Sequence, residues 1–169
     1  MTISTNANGI SFADSPRYLA GVPRAARNST NAIADATFQS LQNLSILPFG
    51  RNGYIDVTAT FSYTSSTNGK RLAVRFGGTE FLTFSTVNST SGQRVTIRIH
   101  NVNSTSSQEG NCGSGAGVGG FNSTGTTTVT ASIDTTTPQT LAIGAYWAGA
   151  TLTETITLLS YSVQVVTVD

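Results

Sequence analysis

Few side chains in this sequence could carry chemistry, and their spacing argues against catalysis. The single histidine, His100, lies on the polar phase of an alternating segment beside Arg94 and Arg98, and no Ser or Cys nucleophile motif accompanies it. The single cysteine, Cys112, sits in a Gly-rich stretch without a nearby histidine, which suits a free loop thiol and rules out an intrachain disulfide framework. The eight acids occur singly, at Asp14, Asp35, Asp56, Glu80, Glu109, Asp134, Glu154 and Asp169. Neither Asp-x-Asp nor Glu-x-x-His occurs, so neither a paired-carboxylate hydrolase nor a metal cage is written locally. Gly115-x-Gly117-x-x-Gly120 matches the dinucleotide fingerprint by letter, but a second turn-forming run, Phe121 to Gly125, follows where a helix must begin. The chain reads as non-enzymatic, with no cofactor and no metal.

The arginines are more informative. Arg71 and Arg75 share the polar phase of one alternating segment, and Arg94 and Arg98 that of another. Four guanidiniums on outward faces of a charge-poor protein repel unless paired, and Asp56, Glu80 and Glu154 are available partners. We expect such pairs at an interface between subunits, against the alternative of ordinary surface charge. Tyr146-Trp147, at a strand end, could offer a carbohydrate platform. The apolar phase that Trp147 shares with Ile143 favours core or subunit contact instead.

Alternation every second residue positions these groups. Ile55, Val57, Ala59, Phe61 and Tyr63 share one face of a strand over Gly53–Tyr63. Leu72, Val74 and Phe76 follow, then Phe81 with Thr83, then Val95, Ile97 and Ile99. Further on come Val129, Ala131 and Ile133, then Leu141, Ile143, Ala145 and Trp147. The last segment, Thr153–Val168, shifts phase at Leu158-Leu159 and at Val165-Val166, which implies bulges or a strand serving two neighbours. Phe38, Leu41, Leu44, Ile46 and Leu47 fit a strand or a helical face equally well. Asn68-Gly69 is the strongest hairpin signal, Gly77-Gly78 permits a bend or bulge, and residues 103–125 read as irregular. The sum is an all-β chain, an antiparallel sandwich of jelly-roll type with about eight strands over residues 37–169.

Residues 1–36 differ. Pro16 and Pro23 interrupt regular structure and the apolar residues are scattered, which reads as an extended N-terminal arm held on a partner surface. Arg17, Arg24 and Arg27, with Tyr18 and Leu19, are the candidate anchoring residues, against the alternative that the arginines are solvated loop charges. Charged residues make up only 10% of the chain, with Ser and Thr in their place, and the formal net charge is +1, so nucleic acid is not an expected partner. No apolar run is long enough to span a membrane, no secretion signal is expected at the start, and five Asn-x-Ser/Thr triplets are explained by Ser/Thr abundance.

Gly69-Lys70-Arg71-Leu72-Ala73-Val74-Arg75-Phe76-Gly77-Gly78-Thr79 resembles a segment of structural proteins from tailed bacteriophages and prophages. Arg98-Ile99-His100-Asn101, followed by Asn103-Ser104-Thr105-Ser106-Ser107-Gln108, is similar to a second, and Thr155 to Val166 to their final strand. The resemblance covers roughly residues 40–168 and brings no catalytic residues with it. It implies a trimeric β-sandwich on the virion surface, made in the bacterial cytoplasm: a head decoration (cement) protein or a tail-fibre or spike tip. The short stretch ahead of the sandwich, without heptads or shaft repeats, favours the decoration type, a homotrimer whose arms lie on major capsid protein. The alternative is a tail-fibre tip or adaptor that binds a host receptor, with host glycan as a further partner.

Overall fold

In a computed structural model, residues 17–21, 26–28, 37–67, 69–85, 91–113, 128–148 and 155–168 are described. At 17–21, 26–28, 84–85, 111–113 and 147–148 the description is of backbone alone. The described residues are all-β: β1 (Arg17–Gly21), β2 (Ala26–Asn28), β3 (Gln39–Ile46), β4 (Tyr54–Tyr63), β5 (Gly69–Phe76), β6 (Thr79–Ser85), β7 (Gly92–Asn101), β8 (Gln108–Gly113), β9 (Val129–Ala131), β10 (Gln139–Ala148) and β11 (Thr155–Val166). Two antiparallel sheets pack face to face. One runs β1-β11-β4-β7-β8-β9, with β2 also on β11; the other runs β3-β10-β5-β6.

Strict alternation in β4 puts Ile55, Val57, Ala59, Phe61 and Tyr63 inward, each buried, while the intervening residues stay half-exposed. Val95, Ile97 and Ile99 of β7 lie beside them, and Leu72, Val74, Phe76, Leu141, Ile143 and Ala145 face them from the second sheet. The helical alternative for residues 38–47 is not taken. β3 pairs with β10, and a bulge at Leu41 accounts for the three-residue spacing between Leu41 and Leu44 on the inner face, while Phe38 lies on the outer one. In β11 a bulge at Leu159 leaves that side chain 44% exposed and switches the buried phase from Ile156 and Leu158 to Val163 and Val165. No shift accompanies Val165-Val166. β11 does serve two neighbours: β4 on one side, β1 and β2 in succession on the other.

Three expectations need correction. Asn68-Gly69 does not close a hairpin, because β4 pairs with β7 and β11 while β5 pairs with β10 and β6. The segment between them carries the chain from one sheet to the other. The tight hairpin is at Gly77-Gly78, whose φ values of 53° and 85° give the two left-handed positions that a two-residue turn needs. Thr83 does not share the buried face with Phe81; a bulge at Phe81 resets the phase, so Leu82 is buried and Thr83 exposed. Finally, residues 103–125 are not irregular throughout, since β8 pairs with both β7 and β9, and Cys112 belongs to that strand.

β8 lacks apolar alternation because its inward positions are taken by unusual residues. Gly110 leaves room for the Phe81 ring from the opposite sheet: a Cβ there would stand 2.3 Å from the ring's Cδ1. Gln108, fully buried, is held by hydrogen bonds. Its Nε2 donates to Asn101 Oδ1 at 2.8 Å, and its Oε1 accepts from the Ile133 amide at 2.7 Å. Asn101 Nδ2 donates to Gly50 O and to Thr135 Oγ1, both at 2.8 Å, and Thr135 Oγ1 donates to Thr105 O at 2.9 Å. This buried lattice joins the segment entering β4, the β7–β8 connection and the crossing from β9 to β10.

Gly110→Ala forces Phe81 out of its seat and is expected to destabilise by about 1–3 kcal/mol. Gln108→Leu leaves the Ile133 amide and Asn101 Oδ1 unpaired and is expected to cost about 2–5 kcal/mol. Urea unfolding midpoints measure both.

Candidate functional site

The candidate charged residues fall on opposite outer faces of the sandwich. Arg71 and Arg75 of β5 face outward from the smaller sheet, with Tyr146 of β10 opposite Arg71 and Glu80 of β6 opposite Arg75. Arg94 and Arg98 of β7 face outward from the larger sheet, where Asp56 of β4 is opposite Arg98 and Thr60 opposite Arg94. Membership of different sheets therefore separates the four arginines into two pairs.

On the smaller sheet, Arg75 Nε lies 3.2 Å from Glu80 Oε2, and Arg75 Nη2 donates to the Tyr146 hydroxyl at 2.6 Å. The Tyr146 hydroxyl donates to Glu80 Oε2, and Thr83 Oγ1 donates to Glu80 Oε1. The Arg71 guanidinium stands 4.1 Å over the Tyr146 ring and that of Arg75 4.3 Å over Phe38, whose ring meets Tyr146 edge-on at 5.6 Å. Phe38 reaches this face because Gly144 has no side chain: a Cβ there would stand 2.7 Å from Phe38 Cζ. Burial pushes the Glu80 carboxyl up, but the bonds from Thr83, Tyr146 and Arg75, with the charge of Arg75, more than reverse it and hold it below the ordinary glutamate range. Burial, then the bond to Glu80, pushes the Tyr146 phenol above its ordinary value.

On the larger sheet, Arg98 grips Asp56 in a fork, with Nε to Oδ1 at 2.7 Å and Nη2 to Oδ2 at 2.6 Å. The same guanidinium lies 4.1 Å over the Tyr54 ring. The bond to Asp56 raises the Arg98 pKa despite partial burial. Since the Arg98 side chain is 42% exposed, the pair contributes about 1 kcal/mol at most. His100 Nε2 lies 3.8 Å from Glu109 Oε2. No described group of His, Cys, Asp and Glu could hold a metal ion.

Farther along this face, Thr58, Thr60, Arg94, Ser160, Tyr161 and Ser162 line an open depression of about 290 Å³. Its geometry follows from the β11 bulge, which brings Ser160 opposite Thr60 and Ser162 opposite Thr58 on the outer face.

The backbone of Arg17, Tyr18 and Leu19 pairs with Val165, Gln164 and Val163, and that of Arg27 with Ile156. Arg24, Glu154 and the Gly115–Gly120 run lie outside the described residues, as does the Trp147 side chain. The sequence reading overlooked Tyr146 and Phe38 as partners of Arg71 and Arg75. The available signal was Tyr146's place on the polar phase of β10, two residues beyond Gly144.

No protein-family model matches the chain, and no curated protein does. Among solved structures it aligns with lectin I from Ulex europaeus, solved with the methyl glycoside of α-L-fucose: 10% identity, TM-score 0.41, covering 89% of this chain and 98% of that one. It also aligns with the CBM2 module of the evolved Dit of Lactobacillus casei BL23 phage J-1, at 8% identity and TM-score 0.38, over 75% of this chain and 69% of that one. A chain of infectious bursal disease virus, Gt strain, aligns at 10% identity and TM-score 0.39, over 99% of this chain and 38% of that one. Similarity this low carries no functional argument.

Glu80 supplies a pH test. Its folded pKa is depressed, so the stabilisation is complete above the unfolded glutamate value of about 4.3 and is lost as pH falls through the lower folded value. The wild-type unfolding midpoint should decline on that acid limb, and Glu80→Gln should flatten the decline. An unchanged acid limb would show that the carboxylate cluster does not act as described.

Proposed function

We propose that this protein is a non-enzymatic structural component of a tailed-phage virion, a head decoration protein that trimerises on the shell and attaches through its N-terminal leader. The observation that carries the reading is the use of β11. Its sequence is one of the three phage-like segments, and its far edge receives the leader as β1 and β2. The leader is thereby joined to the body by backbone pairing, and among the described residues β1 is the outer strand of the larger sheet. An outer strand has backbone donors and acceptors facing away from its sheet, which suits strand-to-strand attachment to a capsid partner or a second copy. The side chains of Arg17, Tyr18, Leu19 and Arg27, with Arg24, supply the proposed anchoring contacts.

The subunit interface is proposed around the two outer faces. Arg75–Glu80 and Arg98–Asp56 are closed within one chain, so they offer pre-ordered, charge-balanced patches. Arg71 has no acidic partner among the described residues and is the cation available to a neighbouring copy, with Glu154 and Trp147 as further candidates. A second reading, a tail-fibre tip or adaptor, draws on the hydroxyl-lined depression of the larger sheet, which is polar enough for a receptor glycan.

The decoration reading expects the purified chain to have three times its 17.6 kDa mass in solution and to rebind heads stripped of it. Removal of residues 1–28 should abolish rebinding while the far-UV spectrum of the sandwich persists. Arg17→Gln with Arg27→Gln, which leaves the backbone pairing in place, should weaken rebinding by about tenfold. A protein that ignores heads but adheres to host cells favours the tip reading.

A further inference from the structure

The depression on the larger sheet combines outward hydroxyls with one cation. Its lining includes four outward hydroxyl side chains, Thr58, Thr60, Ser160 and Ser162, and one cation, Arg94, while Tyr161, opposite Ala59, packs against the core. Thr58 Oγ1 lies 3.4 Å from Thr96 Oγ1, whereas the hydroxyls of Thr60, Ser160 and Ser162 have no protein partner among the described residues. Nor does the Arg94 guanidinium, in contrast to Arg98 four residues along the same strand, which Asp56 neutralises.

The spacing is set by the sheet. Thr58 and Thr60 are two residues apart on β4, and Ser162 and Ser160 stand opposite them on β11. Strand geometry therefore places four hydroxyls at the corners of a rectangle of about 4.8 by 6.8 Å, the scale of one sugar ring. Arg94, opposite Thr60 on β7, closes one side. Hydroxyls both donate and accept, so an array of them matches a polyol, and a planar guanidinium matches a carboxylate through paired hydrogen bonds. The larger sheet presents no acid in this depression to oppose an anion; Asp56 lies one step along β4 and is occupied by Arg98.

We infer that this depression is a binding site for a carboxylate-bearing saccharide, with Arg94 holding the carboxylate and Thr58, Thr60, Ser160 and Ser162 the ring hydroxyls. The inference deepens the second reading, in which this depression meets a glycan, and does not depend on the leader. A negative result here would leave head attachment standing, and the reverse also holds.

The test is calorimetric titration of the full chain with glucuronate, galacturonate and sialate oligosaccharides, each beside its carboxyl-reduced neutral form. The expected result is saturable binding of at least one acidic form, weakened about tenfold or more by carboxyl reduction. Arg94→Gln should weaken that binding by a similar factor, as should Ser160→Ala combined with Ser162→Ala. Arg51→Gln, in the exposed turn ahead of β4, should leave it unchanged. Because Arg94 is exposed, its replacement should not disturb folding, and the unfolding midpoint checks this. Absence of binding by every acidic form would overturn the assignment, and so would binding that Arg94→Gln leaves within about twofold.

Discussion

The closure of this sandwich depends on three buried polar residues at one end of it. Asn101, Gln108 and Thr135 are almost wholly removed from water, and their amides and hydroxyl are matched to one another and to backbone groups of Gly50, Thr105 and Ile133. A buried amide left unmatched costs as much as several apolar contacts return, so the lattice works as a whole or not at all. Three connections are fixed at once by it: the entry to β4, the β7–β8 turn and the crossing from β9 to β10. It also sets Gln108 at the head of β8, which brings Gly110 under Phe81 and lets the two sheets approach there.

The apolar rhythm made most of the fold legible. β4 and β7 follow from alternation because each has one wet and one dry face. In β5 and β10, Leu72, Val74, Phe76, Leu141, Ile143 and Ala145 are buried as parity indicates, although Ala73, Gly144 and Tyr146 on the other side are covered as well. What escaped has a physical cause in each case. β8 carries its inward positions as Gln108 and Gly110, one satisfied by hydrogen bonds and one by the absence of a side chain, so no apolar pattern marks it. At β6 a bulge inserts Phe81 and reverses the parity of Thr83. Asn68-Gly69 has the composition of a hairpin turn, but which sheet the next strand joins is decided by long-range packing that no dipeptide encodes.

The charged groups were legible as residue types but not as an arrangement. Parity showed that Arg71, Arg75, Arg94 and Arg98 face outward; it could not show that the two sheets turn them in opposite directions. Nor could it show that Asp56 and Glu80 would be consumed within the chain. The aromatic partners were hidden for a related reason. Tyr146 and Phe38 read as core residues by hydrophobicity, yet both lie over the outer face of the smaller sheet, where guanidiniums cover them. The depression beside Arg94 depends on the Leu159 bulge, which the phase shift at Leu158-Leu159 did announce, and on strand order, which it did not.

Under the proposed function, the leader paired to β11 holds this chain in place on a larger assembly. The most direct measurement of that claim is the position of labelled copies on purified, assembled phage particles, read by electron microscopy. The account predicts label on the head surface in clusters with local three-fold symmetry. Particles that carry no label anywhere would contradict it.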